Sequence, residues 1–270
     1  MTFTPRDLVR FGLTAALLGS TSLAACSDGT EPAAKEPSPA SDADVAEPAA
    51  APASMAGEGS MAGEGEGGEG GAIPMGEMPI QNRLAFMRGH VEAGLALYRA
   101  GAPDQAAPHL MHPVSETHAA ERAGIDQLGF KDDLFVEISE ALESGTASAD
   151  IEDKLVEAEE NLEMMAGKAG GSRKDILNFL LDTTLAEYRV GVDGPDIVNA
   201  GEFADAFGFV KVAQDYAQSL EGEAGEMVRN ELGILEAMWP RAPLADSSPA
   251  PVDEIAAQIS RVQLELSAVN

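Results

Sequence analysis

The stretch "PHLMHPVSETH" at 108–118 carries three of the four histidines in a chain of 270 residues. The fourth, His90, lies a short way upstream. Imidazole nitrogen and carboxylate oxygen together suit Zn²⁺, Fe or Cu(II). On an α-helix advancing ~100° per residue, His109, His112 and Glu116 fall within about 60° of one another, and His118 falls about 180° from His109. His118 is therefore expected to face solvent. A hairpin turn near Gly101–Pro103 brings residues level when their numbers sum to about 204, which sets His90 beside Val114, between His112 and Glu116. Gly89 and Gly94 flank His90 and would let the two helices approach closely. The predicted metal set is His90, His109, His112 and Glu116. A facing hairpin can add Glu202, with Asn199 or Asp205 behind it. Iron or zinc is the leading expectation and copper follows. Binding should fade below about pH 6, because imidazoles of ordinary pKa take up protons and stop donating to a metal. The plain alternative stays open: histidines on an amphipathic helix serve as surface or capping residues. Pro113 should kink this helix or mark its start.

Helices must position these side chains, and the sequence supplies them. Ile80, Leu84, Met87, Val91, Leu95 and Tyr98 form one apolar stripe of period 3.6. Ile151, Leu155, Ala158, Leu162 and Met165 form a second. Val252, Ile255, Ile259, Val262 and Leu266 form a third. Helix starts are expected at Ser148, at Ser172 with Asp175 three residues on, and at Pro195. Gly101, Gly145, Gly170, Gly191 and Gly222 punctuate the ends. No run of alternating β-branched residues demands a strand. Residues 79–270 thus read as one all-α, up-and-down helical bundle of about seven or eight helices.

An internal duplication supports hairpins. "LYRAGAPDQAAPHLMHPVSE" (97–116) aligns with "EYRVGVDGPDIVNAGEFADA" (187–206) without a gap. Tyr98-Arg99 meets Tyr188-Arg189, and Gly101 meets Gly191. His109 falls opposite Asn199 and His112 opposite Glu202. Two similar αα-hairpins facing each other across the core are expected. The Tyr98, Tyr188, Phe207 and Phe209 side chains read as core, and the glutamate runs at 141–145 and 156–163 as solvated faces.

Before this domain, residues 26–78 are rich in Ala, Pro, Gly and Glu and poor in large apolar side chains. Such a segment cannot bury enough surface to offset its ordering entropy, so a disordered tether is expected. Its Met55, Met61, Met75 and Met78 are soft Cu(I) donors, but their spacing is irregular and plain linker is the default. The net charge of −29, from 46 acidic and 17 basic residues, argues against nucleic acid as a partner.

Residues 1–25 read as an export signal: Arg6 and Arg10, then an apolar stretch too short to span a bilayer. Leu23-Ala24-Ala25-Cys26 resembles a bacterial lipobox. That resemblance implies cleavage before Cys26, the only cysteine, and lipidation of its sulfur and new amino terminus by palmitate-class chains. Several acyl chains at ~0.8 kcal/mol per buried CH₂ make a stable anchor. Ser27, rather than Asp, after the cysteine implies the outer membrane, with the domain on the periplasmic side.

The duplicated all-α plan, the lipobox, and the "LYRAG" and "HLMHPVSE" stretches resemble helical periplasmic domains of bacterial iron uptake: imelysin-like lipoproteins and the periplasmic part of oxidase-linked iron permeases. Imelysin-like proteins carry Gly-x-His-x-x-Glu, whereas "RGHVEAG" puts Glu92 two residues after His90, so no catalytic role carries over. The resemblance implies a lipid-anchored periplasmic metal-binding protein, acting in uptake or buffering of iron or zinc beside an uptake-system protein. The rival expectation is a metal-free helical scaffold lipoprotein that docks a protein partner. No Ser–His–Asp order, P-loop, Rossmann fingerprint or HExxH motif is present, so a redox-active metal is the one route left to catalysis.

Overall fold

The computed structural model describes residues 77–115, 122, 124–144, 149–245 and 248–269. Cys26, Glu116, His118, Gly145, Ser148, Met55, Met61, Met75 and the tether up to residue 76 lie outside the described residues. Eight α-helices, two short 3-10 helices and one two-residue-per-strand ribbon make up the regular structure among the described residues. This is the all-α architecture that the three stripes predict. No described helix is long and apolar enough to cross a membrane.

Helix α1 (Ile80–Arg99) buries Leu84, Met87, Val91 and Leu95 of the first stripe, and Met78 just before it is also buried. Helix α2 (Pro103–Met111) opens on a proline, whose missing N–H is no loss in the first turn. It ends because Pro113 cannot donate to the His109 carbonyl. The chain tightens into a 3-10 turn at His112–Val114 instead. Pro113 therefore stands where the α-helix gives way, in the first turn of the 3-10 helix that follows. Helix α3 (Asp132–Glu143) is tied to α2 where the Ser139 hydroxyl donates to the Ala107 carbonyl at 2.9 Å.

Helix α4 (Ala149–Ala169) buries the whole second stripe, from Ile151 to Met165. Its acidic face is held by cations from neighbouring elements. Arg99 donates to Glu152 and Glu159 at 2.9–3.1 Å, and Lys131 to Glu157 at 2.7 Å. The glutamates are thus solvated and also anchor the end of α1.

Helices α5 (Arg173–Gly191), α6 (Ala200–Ala217), α7 (Gly222–Glu236) and α8 (Val252–Ser267) form a closed ring: α5 packs on α6, α6 on α7, α7 on α8, and α8 back on α5. The Ser172 side chain caps α5 by accepting from the Asp175 N–H at 3.3 Å, as its spacing predicts. Ser172→Ala should cost about 1 kcal/mol. A thermal melt should show this as a fall of about 2–4 °C. Inside the ring, Tyr188, Phe203, Phe207 and Trp239 pack ring against ring. The Tyr188 hydroxyl donates to the Ala250 carbonyl at 2.7 Å, and burial pushes its phenol up to about 12.

The second hairpin departs from the duplication in its connector. Pro195 does not start a helix. It sits in the turn of an antiparallel ribbon, β1 (Val192–Asp193) with β2 (Asp196–Ile197), where Gly194 takes φ of 59°. Helix α6 starts later, capped by the Asn199 carboxamide, which accepts from the Gly201 and Glu202 N–H groups at 3.0 and 3.3 Å. The ungapped alignment is therefore out of helical register beyond Gly191. His109 lies well inside α2, whereas Asn199 is a cap.

α6 is buried almost all round, because it serves the ring on one side and α1 on the other. The α1–α2 hairpin is docked through α1 onto this central helix.

Candidate metal centre

The α1, α2 and α6 junction gathers His90, His109 and Asp205, all buried. One ligand atom from each lies within 4.8 Å of the other two. His90 Nδ1 and His109 Nδ1 stand 2.9 and 2.8 Å from the same oxygen, Oδ1 of Asp205. Burial by itself would push the Asp205 carboxyl up. The charges of His109 and His90, and their hydrogen bonds, outweigh it and hold the carboxyl well below the ordinary carboxylate range. Asp205 is thus ionised: His109 Nδ1 is hydrogen-bonded to it, and His90 Nδ1 faces the same oxygen at ion-pair distance.

His112 is buried beside this group. Its ring stacks on that of His90, with centroids 3.8 Å apart and planes within 13°. Phe86 and Phe209 meet His90 edge-on at 4.6 and 5.3 Å. Phe209 is therefore the apolar wall of the site as well as a core residue. Glu202 is buried one turn into α6, outside the group that converges on Asp205.

The structure brings together His90 and His109, with His112 against them. Asp205 supplies the carboxylate from the facing hairpin in place of the expected Glu202. The longer connector shifts α6 relative to the ungapped alignment, so a different acidic residue of the same helix turns inward. A signal for this was present: Asp205 interrupts "FADAFGFV", an otherwise apolar run in a helix buried almost all round. A carboxylate there needs a partner.

Two imidazoles and one carboxylate are a donor set suited to Fe(II) and Zn²⁺. Donors about 2.9 Å apart fit the edge between two bonds of about 2.0–2.1 Å meeting at a right angle. These three residues could therefore hold a metal ion. To ligate through Nδ1, each ring must carry its proton on Nε2 instead.

A second charged region lies on the other side of α1. Arg88, Glu92, Glu159, Glu163, Arg173 and Asp215 line a cavity of about 630 Å³. Arg88 donates to Asp215 at 3.2 Å, and the Arg88 and Arg173 guanidiniums both lie over the Tyr216 ring, 5.2 and 5.0 Å from its centroid. Burial, aided by Glu159 and Asp215, pushes the Glu92 carboxyl up to about 7.

Residues 166–270 match the family model of the iron permease-associated 4-helix bundle domain. The matched span holds the complete helices α5 to α8, which are the closed ring described above. The chain is similar to that family over this span. Asp205 lies within the span, and His90 and His109 lie before it. No curated protein and no solved structure matches the chain.

Proposed function

We propose that this chain is a metal-binding component of an iron uptake system, with His90, His109 and Asp205 holding the metal in transit or in store. The observation that carries the reading is the convergence of two imidazoles and an ionised carboxylate at one buried point. Similarity to an iron permease-associated domain favours iron over zinc as the cargo and a membrane permease as the partner. His112 is the next candidate ligand, since it already touches His90. Glu116 stays as a candidate from the sequence for a remaining position.

Ligation occurs at the three-helix junction, and this gives the fold a part in it. Asp205 belongs to the ring, His90 and His109 to the hairpin docked on it. A bound ion would cross-link the two and stabilise the fold by RT ln(1 + [L]/Kd), about 2.7 kcal/mol at a hundredfold excess over Kd. Thermal melts with Zn²⁺, Fe²⁺ and Cu²⁺ test this: Fe²⁺ and Zn²⁺ should raise the melting temperature. If no metal moves it, the second reading takes over. That reading is a metal-free scaffold, favoured by the fact that Asp205 Oδ1 already lies at ion-pair distance from both imidazoles. The trio would then be a buried polar lock between hairpin and ring.

The lipobox-like Leu23-Ala24-Ala25-Cys26 supports a lipid anchor at Cys26, and Ser27 in place of Asp supports sorting to the outer membrane. Cys26→Ala should leave the chain unprocessed or release it from membranes. Fractionation in which the variant stays processed and membrane-bound would remove the anchor.

A further inference from the structure

We infer that three glycines, Gly94, Gly89 and Gly208, are positioning residues that set the size of ion the centre accepts. This rests on the metal reading above. The three metal-centre residues come from three helices, so the spacing of their donors is the spacing of those helices. Glycines stand at both contacts that fix it.

The first contact joins α1 to α6. A Cβ built on Gly208 would overlap the Gly89 carbonyl oxygen and lie 2.8 Å from the Ala93 nitrogen. Both obstacles are backbone, so no rotamer change relieves them. A Cβ on Gly89 would run into the Phe209 ring. The crossing lies beside His90 in sequence and one turn from Asp205, so it fixes the 2.9 Å between His90 Nδ1 and Asp205 Oδ1. The second contact joins α1 to α2. A Cβ on Gly94 would lie 2.8 Å from Leu110 Cγ and 3.1 Å from both the Ala106 oxygen and His109 Cβ. It fixes where His109 stands.

Donors held this close suit a small ion with short bonds, such as Zn²⁺ or Fe²⁺. A methyl group at either contact moves the helices apart and spreads the donors. The spread site should lose affinity for the small ion while keeping, or gaining, affinity for a larger one of equal charge.

The test is calorimetric titration of the purified chain with Zn²⁺ and with Cd²⁺, beside melts of the metal-free protein. The variants are Gly208→Ala, Gly94→Ala and, as a control, Gly167→Ala, whose added Cβ meets nothing within 4 Å. Wild type and Gly167→Ala should prefer Zn²⁺. Gly208→Ala should weaken Zn²⁺ binding about tenfold or more. It should change Cd²⁺ binding far less, so the ratio of the two affinities falls. Gly94→Ala should shift the ratio in the same direction, and it decides the matter alone if Gly208→Ala does not fold. An unchanged ratio in the folded variants, or an equal loss for both ions, overturns the inference. If the wild type binds neither ion, the metal reading itself has failed and this inference goes with it.

Discussion

Asp205→Asn is expected to lower the affinity of the chain for Fe²⁺ or Zn²⁺ by about two orders of magnitude or more, because it removes the negative charge that Asp205 brings to the centre and keeps its shape. The same substitution should act on the metal-free fold. Asp205, while ionised, is hydrogen-bonded to His109 and faces His90 at 2.9 Å, in a site from which water is largely excluded. Replacing one member of a buried charged network typically costs about 3–5 kcal/mol, and the isosteric amide should cost less, on the order of 2 kcal/mol. The two effects separate in one pair of melts. The metal-free variant should melt several degrees below wild type, and added metal should shift it hardly at all. Glu202→Gln serves as the comparison: its side chain lies outside the converging group, so affinity should change by less than about threefold. Equal damage from both substitutions would move the ligand role toward Glu202.

The second large effect concerns pH and Glu92. Its carboxyl is raised to about 7 by burial and by Glu159 and Asp215, so the folded state favours the protonated form. A raised carboxyl adds stability below its unfolded pKa, and that contribution is lost as pH rises through about 7. Above that point the fold holds an ionised carboxylate in surroundings that disfavour it. Glu92→Gln removes the penalty. At pH 8 the variant should be more stable than wild type by about 1–3 kcal/mol, and at pH 4 the two should coincide. In melting temperature this is a gain of roughly 3–8 °C at the higher pH. A variant less stable than wild type at pH 8 would mean that ionised Glu92 is held by the Arg88 and Arg99 guanidiniums after all.

The elements were legible because period 3.6 is a local property. Leu84, Met87, Val91 and Leu95, the α4 residues from Ile151 to Met165, and Ile255, Ile259, Val262 and Leu266 are all buried as their spacing demands. The Ser172 cap was legible for the same reason. The site was legible in part. His90 and His109 share it because the height of residues in the first hairpin follows from one short turn: Gly94 meets Leu110 and His109, as the sum rule near Gly101 requires. Asp205 was harder to rank, because its inward position depends on how long the second connector is. "GVDGPDIV" holds Gly194 and Pro195, and these permit either a helix start or the β ribbon that forms. A few residues of slip there turn a different carboxylate toward the histidines. His112 was assigned by an α-helical angle, yet it lies on the 3-10 turn that Pro113 imposes. It meets His90 as a stacked ring, outside the group that converges on Asp205.

Held by His90, His109 and Asp205 between the hairpin and the ring, one metal should stay with the chain when free ions are removed; this retention is measurable. Elemental analysis tests it most directly, on the chain from Ser27 onward, loaded with Fe²⁺ under anaerobic conditions, dialysed, and measured beside Asp205→Asn treated identically. About one ion per chain is expected in the wild type and almost none in the variant. A wild-type chain that retains no metal, or a variant that retains as much as wild type, would contradict it.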